Sequence, residues 1–233
     1  MKVQRRGFIA IAGICLGLMI PINMALAQTG RAPVKQLSAE WWQWVLSIPT
    51  PENPVLDTTG EKCAVGQHGS VWFLASNFGE GTTMRACSVP EDKLLFFAII
   101  TELNVDMPNL CGQGPERDPV NVMRSRSADF INGVTDLLVE VDGKEVKNLR
   151  RIRSPIFAIT LPEDNLFDSP CADFGGVPAG VYSPAVADGF YVILNRLTVG
   201  THELHFHAEN STDEFIVDVT YELTVVPVIS SRS

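Results

Sequence analysis

Between Phe215 and Val225 every second residue is apolar. Phe215, Val217, Val219, Tyr221, Leu223 and Val225 alternate with Ile216, Asp218, Thr220, Glu222 and Thr224. A period of two fits a β-strand with one buried and one wet face, and no helix. Leu204, Phe206 and Ala208 repeat the pattern against Glu203, His205, His207 and Glu209, and the polar stretch Glu209 to Glu214 joins the two as a hairpin. If both strands bury a common face, paired residue numbers must sum to an odd number, because a one-residue slip turns every side chain over. A turn centred on Ser211-Thr212 predicts His205 opposite Asp218 and His207 opposite Ile216. Hairpins of this kind close one sheet of a β-sandwich.

The rest of the chain fits that reading. Its 233 residues suit one all-β domain, and 18 Gly with 15 Pro point to many turns and short strands. Hydrophobic residues at 45% and charged residues at 19% exclude a disordered, collagen-like or coiled-coil chain. Further strand-like runs lie at 71–75, 94–101, 136–141, 144–149, 155–160 and 190–195. The run from Leu94 to Ile100 is apolar throughout, as expected of a strand covered on both faces. Asp142-Gly143 is a strong two-residue hairpin signal. A helix over 38–47 is predicted by Ser38 as cap and by Leu37, Trp41, Trp44, Val45 and Ile48 on one face, with Pro49 ending it. A second helix is framed by Asp118-Pro119 and Asn132-Gly133, with Val120, Met123, Ser127, Phe130 and Ile131 on one face. The expectation is a mainly β chain: one antiparallel β-sandwich, immunoglobulin-like or jelly-roll-like, over 37–228, with one or two short helices and long disulfide-tied loops.

Residues 1–27 have the form of a signal peptide. Lys2, Arg5 and Arg6 precede an apolar run from Phe8 to Ile20, and Ala25-Leu26-Ala27 is an A-x-A cleavage site. The run is too short and interrupted for a membrane span. Arg5-Arg6-Gly7-Phe8-Ile9 also fits twin-arginine export, so an ordinary secretory signal and a twin-arginine signal both stand. Residues 28–36 read as a loose leader and 229–233 as a frayed tail. The expected compartment is the periplasm or the medium. After cleavage the chain keeps 15 of 18 Lys and Arg and all 27 Asp and Glu, a formal charge of −12. That argues against nucleic acid as a partner. Four cysteines remain: Cys63, Cys87, Cys111 and Cys171. They read as two disulfides with three pairings open, of which Cys63–Cys87 and Cys111–Cys171 is favoured.

Leu197-Thr198-Val199-Gly200-Thr201-His202-Glu203-Leu204 resembles the late-strand entry of immunoglobulin-like sandwiches. A longer pattern runs through Trp41-x-x-Trp44, Asn53-Pro54, Asp57-x-x-Gly60-x-x-Cys63, Gly66-Gln67, Val71-Trp72-Phe73-Leu74 and Arg85-x-Cys87. It resembles a family of uncharacterised exported bacterial proteins. That resemblance implies export and carries over no activity, ligand or catalytic residue.

Three groups of residues are candidates for chemistry. On a strand, His205 and His207 point the same way and could share a divalent metal with Asp218, although the bland reading is an exposed cross-strand pair. His202 lies on the opposite parity and is expected at the sandwich rim. Exposed indoles stack on sugars, which makes Trp42 and Trp72 candidates for glycan binding. The helical spacing of Trp41 and Trp44 argues for core packing instead. Glu163, Asp164, Asn165, Asp168 and Asp173 supply oxygen ligands but lack a calcium-loop pattern, so a solvated acidic loop is the simpler reading. The segment 162–189 is nonetheless where binding is expected, because long loops on rigid scaffolds carry it. No nucleophile elbow, phosphate loop or H-E-x-x-H helix occurs, and paired cysteines leave no thiol nucleophile. The leading expectation is a non-catalytic binding or scaffolding module of the cell envelope without a cofactor, with an envelope protein or a glycan as partner. A metal-dependent protein and a carbohydrate-binding module are the alternatives.

Overall fold

A computed structural model describes residues 32–147 and 149–228. The expected signal peptide 1–27, residues 28–31 of the expected leader and the expected tail 229–233 lie outside the described residues. Among the described residues ten strands form two sheets. In the first sheet β1 (Val71–Leu74) lies beside β3 (Leu94–Val105), which pairs with β8 (Gly180–Leu194). The far edge of β8 is covered end to end by β6 (Arg150–Arg153) and β7 (Phe157–Leu161). The second sheet runs β2 (Glu80–Pro90), β10 (Phe215–Val226), β9 (Gly200–Asn210), β4 (Val134–Val141) and β5 (Lys144–Glu145). The sandwich is as expected, but it is not wholly antiparallel: β1 runs parallel to β3 and β2 parallel to β10. The chain leaves β1 for the other sheet and returns, so β3 can re-enter beside β1 in the same direction.

Helix α1 (Ala32–Ser47) makes a third layer outside the first sheet. Strand β3 is therefore covered on both faces. Phe96 and Ala98 meet the α1 side, while Leu95, Phe97 and Ile99 pack between the sheets with Phe206, Val219 and Tyr221. α1 begins at Ala32, six residues before the predicted cap. Its apolar stripe extends backward through Val34 and Leu37, and Ser38 donates to the Lys35 carbonyl inside the helix. Residues 32–36 are thus helix rather than leader. Helix α2 (Val120–Asn132) matches its predicted limits and buries Met123, Ser127 and Ile131.

Two long strands differ most from the sequence reading. β2 is absent from the strand-like runs of the sequence because the residues it turns inward include Thr83 and Arg85, so no apolar alternation marks it. The first half of β8 contains Gly180, Pro184 and Gly189, which read as turn residues. Gly189 is required by close packing: a Cβ there would lie 2.6 Å from the Thr101 Cβ. The terminal hairpin keeps the predicted parity but pairs two residues further along. His207 faces Asp218, and His205 faces Thr220. The cause is Asn210, whose side-chain oxygen accepts from the Thr212 and Asp213 amides and draws the turn toward the later residues. Both favoured disulfides form, Cys63–Cys87 and Cys111–Cys171, with Cα separations of 5.9 and 4.9 Å.

Candidate functional site

On the outer face of the second sheet, cross-strand pairing builds a ladder of acids and imidazoles. His205 Nε2 lies 3.2 Å from Asp218 Oδ1, reached diagonally, and His205 Nδ1 lies 3.9 Å from Glu140. His207 stands 3.9 Å from Asp218 and 4.0 Å from Asp136. The three predicted residues do come together, yet among the described residues no group of three His, Cys, Asp or Glu is placed to hold a metal ion. On that outer face the side chains of His205, His207 and Asp218 stay partly exposed. His202 sits apart at the β4–β5 turn. Its Nδ1 is 2.8 Å from Asp142 and its Nε2 2.8 Å from the Thr198 carbonyl. Two oxygen acceptors on one ring favour the imidazolium, which raises the His202 pKa and lowers that of Asp142.

The tryptophans do not form a sugar platform. Trp42 and Trp72 are each only 8% exposed. The indole N–H groups of Trp41, Trp42 and Trp44 donate to the Leu74 carbonyl, the Thr101 hydroxyl and the Val65 carbonyl. Trp72 packs between the sheets. The glycan expectation fails because the helical stripe that carries Trp41 and Trp44 is wide enough to bury Trp42 as well.

The acidic segment after β7 leaves Glu163, Asp164 and Asp173 exposed, as expected of a solvated loop, but its backbone is tied down from within. Asn165 is buried, its amide donating to the Val177 and Pro162 carbonyls while its oxygen accepts from the Phe167 amide. Asp168 accepts from the backbone amides of Asn165 and Val177. The Thr50 amide donates to the Asp164 carbonyl at 2.8 Å, docking this loop on the turn after α1. Buried Cys171 adds the covalent tie.

Between that loop and the turn lies an open cleft of about 770 Å³. Leu56 and Phe78, 45% and 43% exposed, form its apolar lips, and Pro51, Leu166 and Pro170 continue the apolar lining. Both lips hang on one residue. Arg85, 2% exposed on the inner face of β2, donates to the carbonyls of Val55 (3.0 Å) and Asp57 (2.6 Å), which flank Leu56. It also donates to the carbonyls of Ala75 (2.8 Å) and Ser76 (3.0 Å), just before Phe78, and to the Tyr221 hydroxyl (3.0 Å). Its five bonds satisfy the guanidinium without a carboxylate. The buried acid Asp188, by contrast, is paired with Arg151 and Arg153. The Cys63–Cys87 disulfide and the close approach of Gly60 to Ala86 hold the same turn against β2. At Gly60 φ is +92°, and a Cβ would lie 2.2 Å from the Ala86 carbonyl oxygen, so only glycine fits.

Segment 162–189 was the expected place for binding, and its first nine residues supply one wall of the cleft. The other wall was missed. Leu56 and Phe78 sit in loops with no periodicity, and the one available signal was an apolar side chain stranded in a turn. The described helices include none long and apolar enough to cross a membrane. Compared with protein-family models, curated proteins and solved structures, the chain matches none.

Proposed function

We propose that this chain is an exported, non-catalytic binding module of the cell envelope whose ligand enters the cleft between Leu56 and Phe78. The observation that carries the reading is the pair of exposed apolar lips fixed to one buried guanidinium. Large side chains left exposed on a rigid frame give a recessed apolar surface that needs no rearrangement before binding. Export is supported by the signal-like sequence and by two disulfides. Binding is favoured over catalysis because, of the two acids lining the cleft, Asp168 already accepts two backbone amides, and no histidine, cysteine or lysine lines the cleft beside Asp164. The neutral apolar dye Nile red tests the site. The native protein is expected to enhance its fluorescence, and Phe78→Asp or Leu56→Asp to abolish the enhancement without lowering the melting temperature by more than a few degrees. Enhancement unchanged in both variants would refute the cleft as a binding site.

A further inference from the structure

We infer that the cleft takes a segment of a partner protein in which lysine or arginine side chains alternate with apolar ones. This rests on the cleft being the binding site and adds the chemistry of its occupant. Two acids, Asp164 and Asp168, line the cleft, and no lysine or arginine does. Among the described residues, Glu163, Asp164, Asp168 and Asp173 take part in no ion pair, although the ion pairs elsewhere use Lys62, Arg117, Arg126, Arg151 and Arg153. The loop's charge is therefore uncompensated, beside a chain that already carries net charge −9.

Position sharpens the argument. Asp164 is exposed and lines the cleft, and its backbone carbonyl accepts from the Thr50 amide, which fixes the chain segment that carries its carboxylate. An occupant is thus met by apolar side chains along the walls and a carboxylate at the mouth. The phenyl ring of Phe78, also in the lining, presents a second surface that attracts cations. The cleft is open along its mouth. An enclosed pocket buries most of a small ligand, whereas an open cleft leaves one side of its occupant wet, as a segment still attached to a partner requires. The acidic rim also disfavours anionic segments, because like charges brought together cost affinity.

Fluorescence anisotropy on the mature chain with labelled short peptides tests this. The probes are a basic peptide alternating lysine with leucine and phenylalanine, its glutamine counterpart and its glutamate counterpart. The basic peptide is expected to bind at least about fivefold tighter than the glutamine peptide at low salt. That advantage is expected to shrink in high salt and with Asp164→Asn, and Phe78→Asp to remove binding of both. Equal binding of basic and neutral peptides, still lost with Phe78→Asp, would overturn the ligand class and leave the cleft intact as a site. Preference for the glutamate peptide would overturn it too. Basic-peptide binding that survives Phe78→Asp would place the contact elsewhere and overturn both readings. Failure of every peptide to bind, with Nile red still bound, would leave a small apolar ligand as the occupant and refute the partner segment.

Discussion

The outer face of the second sheet and the cleft beside the first present opposite kinds of surface. The face carries the residues that chemistry usually recruits: His205, His207, Asp218, Glu140 and Asp136, at separations of 3.2 to 4.0 Å. It lies on the outside of a sheet, and its imidazoles and carboxylates pair across strands. The cleft is made of ordinary residues, two exposed apolar lips and two acids, but it has volume and a rigid support. The contrast teaches that reactive side chains do not make a site without a concave frame. The frame here is supplied by a buried arginine.

If the cleft depends on its frame and the face does not, mutations must divide accordingly. Removing the Cys111–Cys171 bridge with Cys111→Ser and Cys171→Ser frees a loop with a sequence separation of 60. Denaturant unfolding is expected to show a loss of about 4 kcal/mol. Arg85→Met leaves the Val55, Asp57 and Ser76 carbonyls without the guanidinium that binds them, while the Ala75 carbonyl and the Tyr221 hydroxyl keep each other. A loss of about 3 kcal/mol is expected in the same assay, together with loss of Nile red binding. Arg85→Lys is not expected to rescue binding, because one ammonium cannot reach carbonyls on both lips.

Glu102 on β3 sharpens the comparison through pH. Burial, with the charge of Asp213 adding, pushes its carboxyl from 4.5 up to about 7. The folded chain holds a proton there that the unfolded chain has already released. Stability is therefore highest below the usual carboxylate range and falls as pH rises from about 4.5 through 7. Discounted for partial exposure, the loss is on the order of 2 kcal/mol. Glu102→Gln is expected to flatten that part of the stability curve and to be more stable than the native chain at pH 8. The smallest effects belong to the outer face. His205→Ala and His207→Ala are each expected to cost under about 1 kcal/mol and to leave peptide binding unchanged.

What the sequence revealed follows from what its patterns encode. Alternation in 201–226 is set by burial of one face, so the parity of the hairpin and its inward residues were legible. The pairing depended on Asn210 bonding to the turn amides, and alternation carries no trace of that. β3 was legible because covering both faces requires an unbroken apolar run. β2 was not, because Thr83 and Arg85 take inward positions that an apolar residue usually fills. The same substitution of charge for grease hid the site. Arg85 reads as a surface residue until its carbonyl partners are in place, and those come from segments 9 to 30 residues away.

The account is tested most directly by amide chemical shifts of the mature chain titrated with the lysine-containing peptide. Shifts are expected to concentrate at Leu56, Phe78 and residues 164–169. Shifts confined to 203–209 and 216–222, where His205, His207 and Asp218 lie, would contradict it.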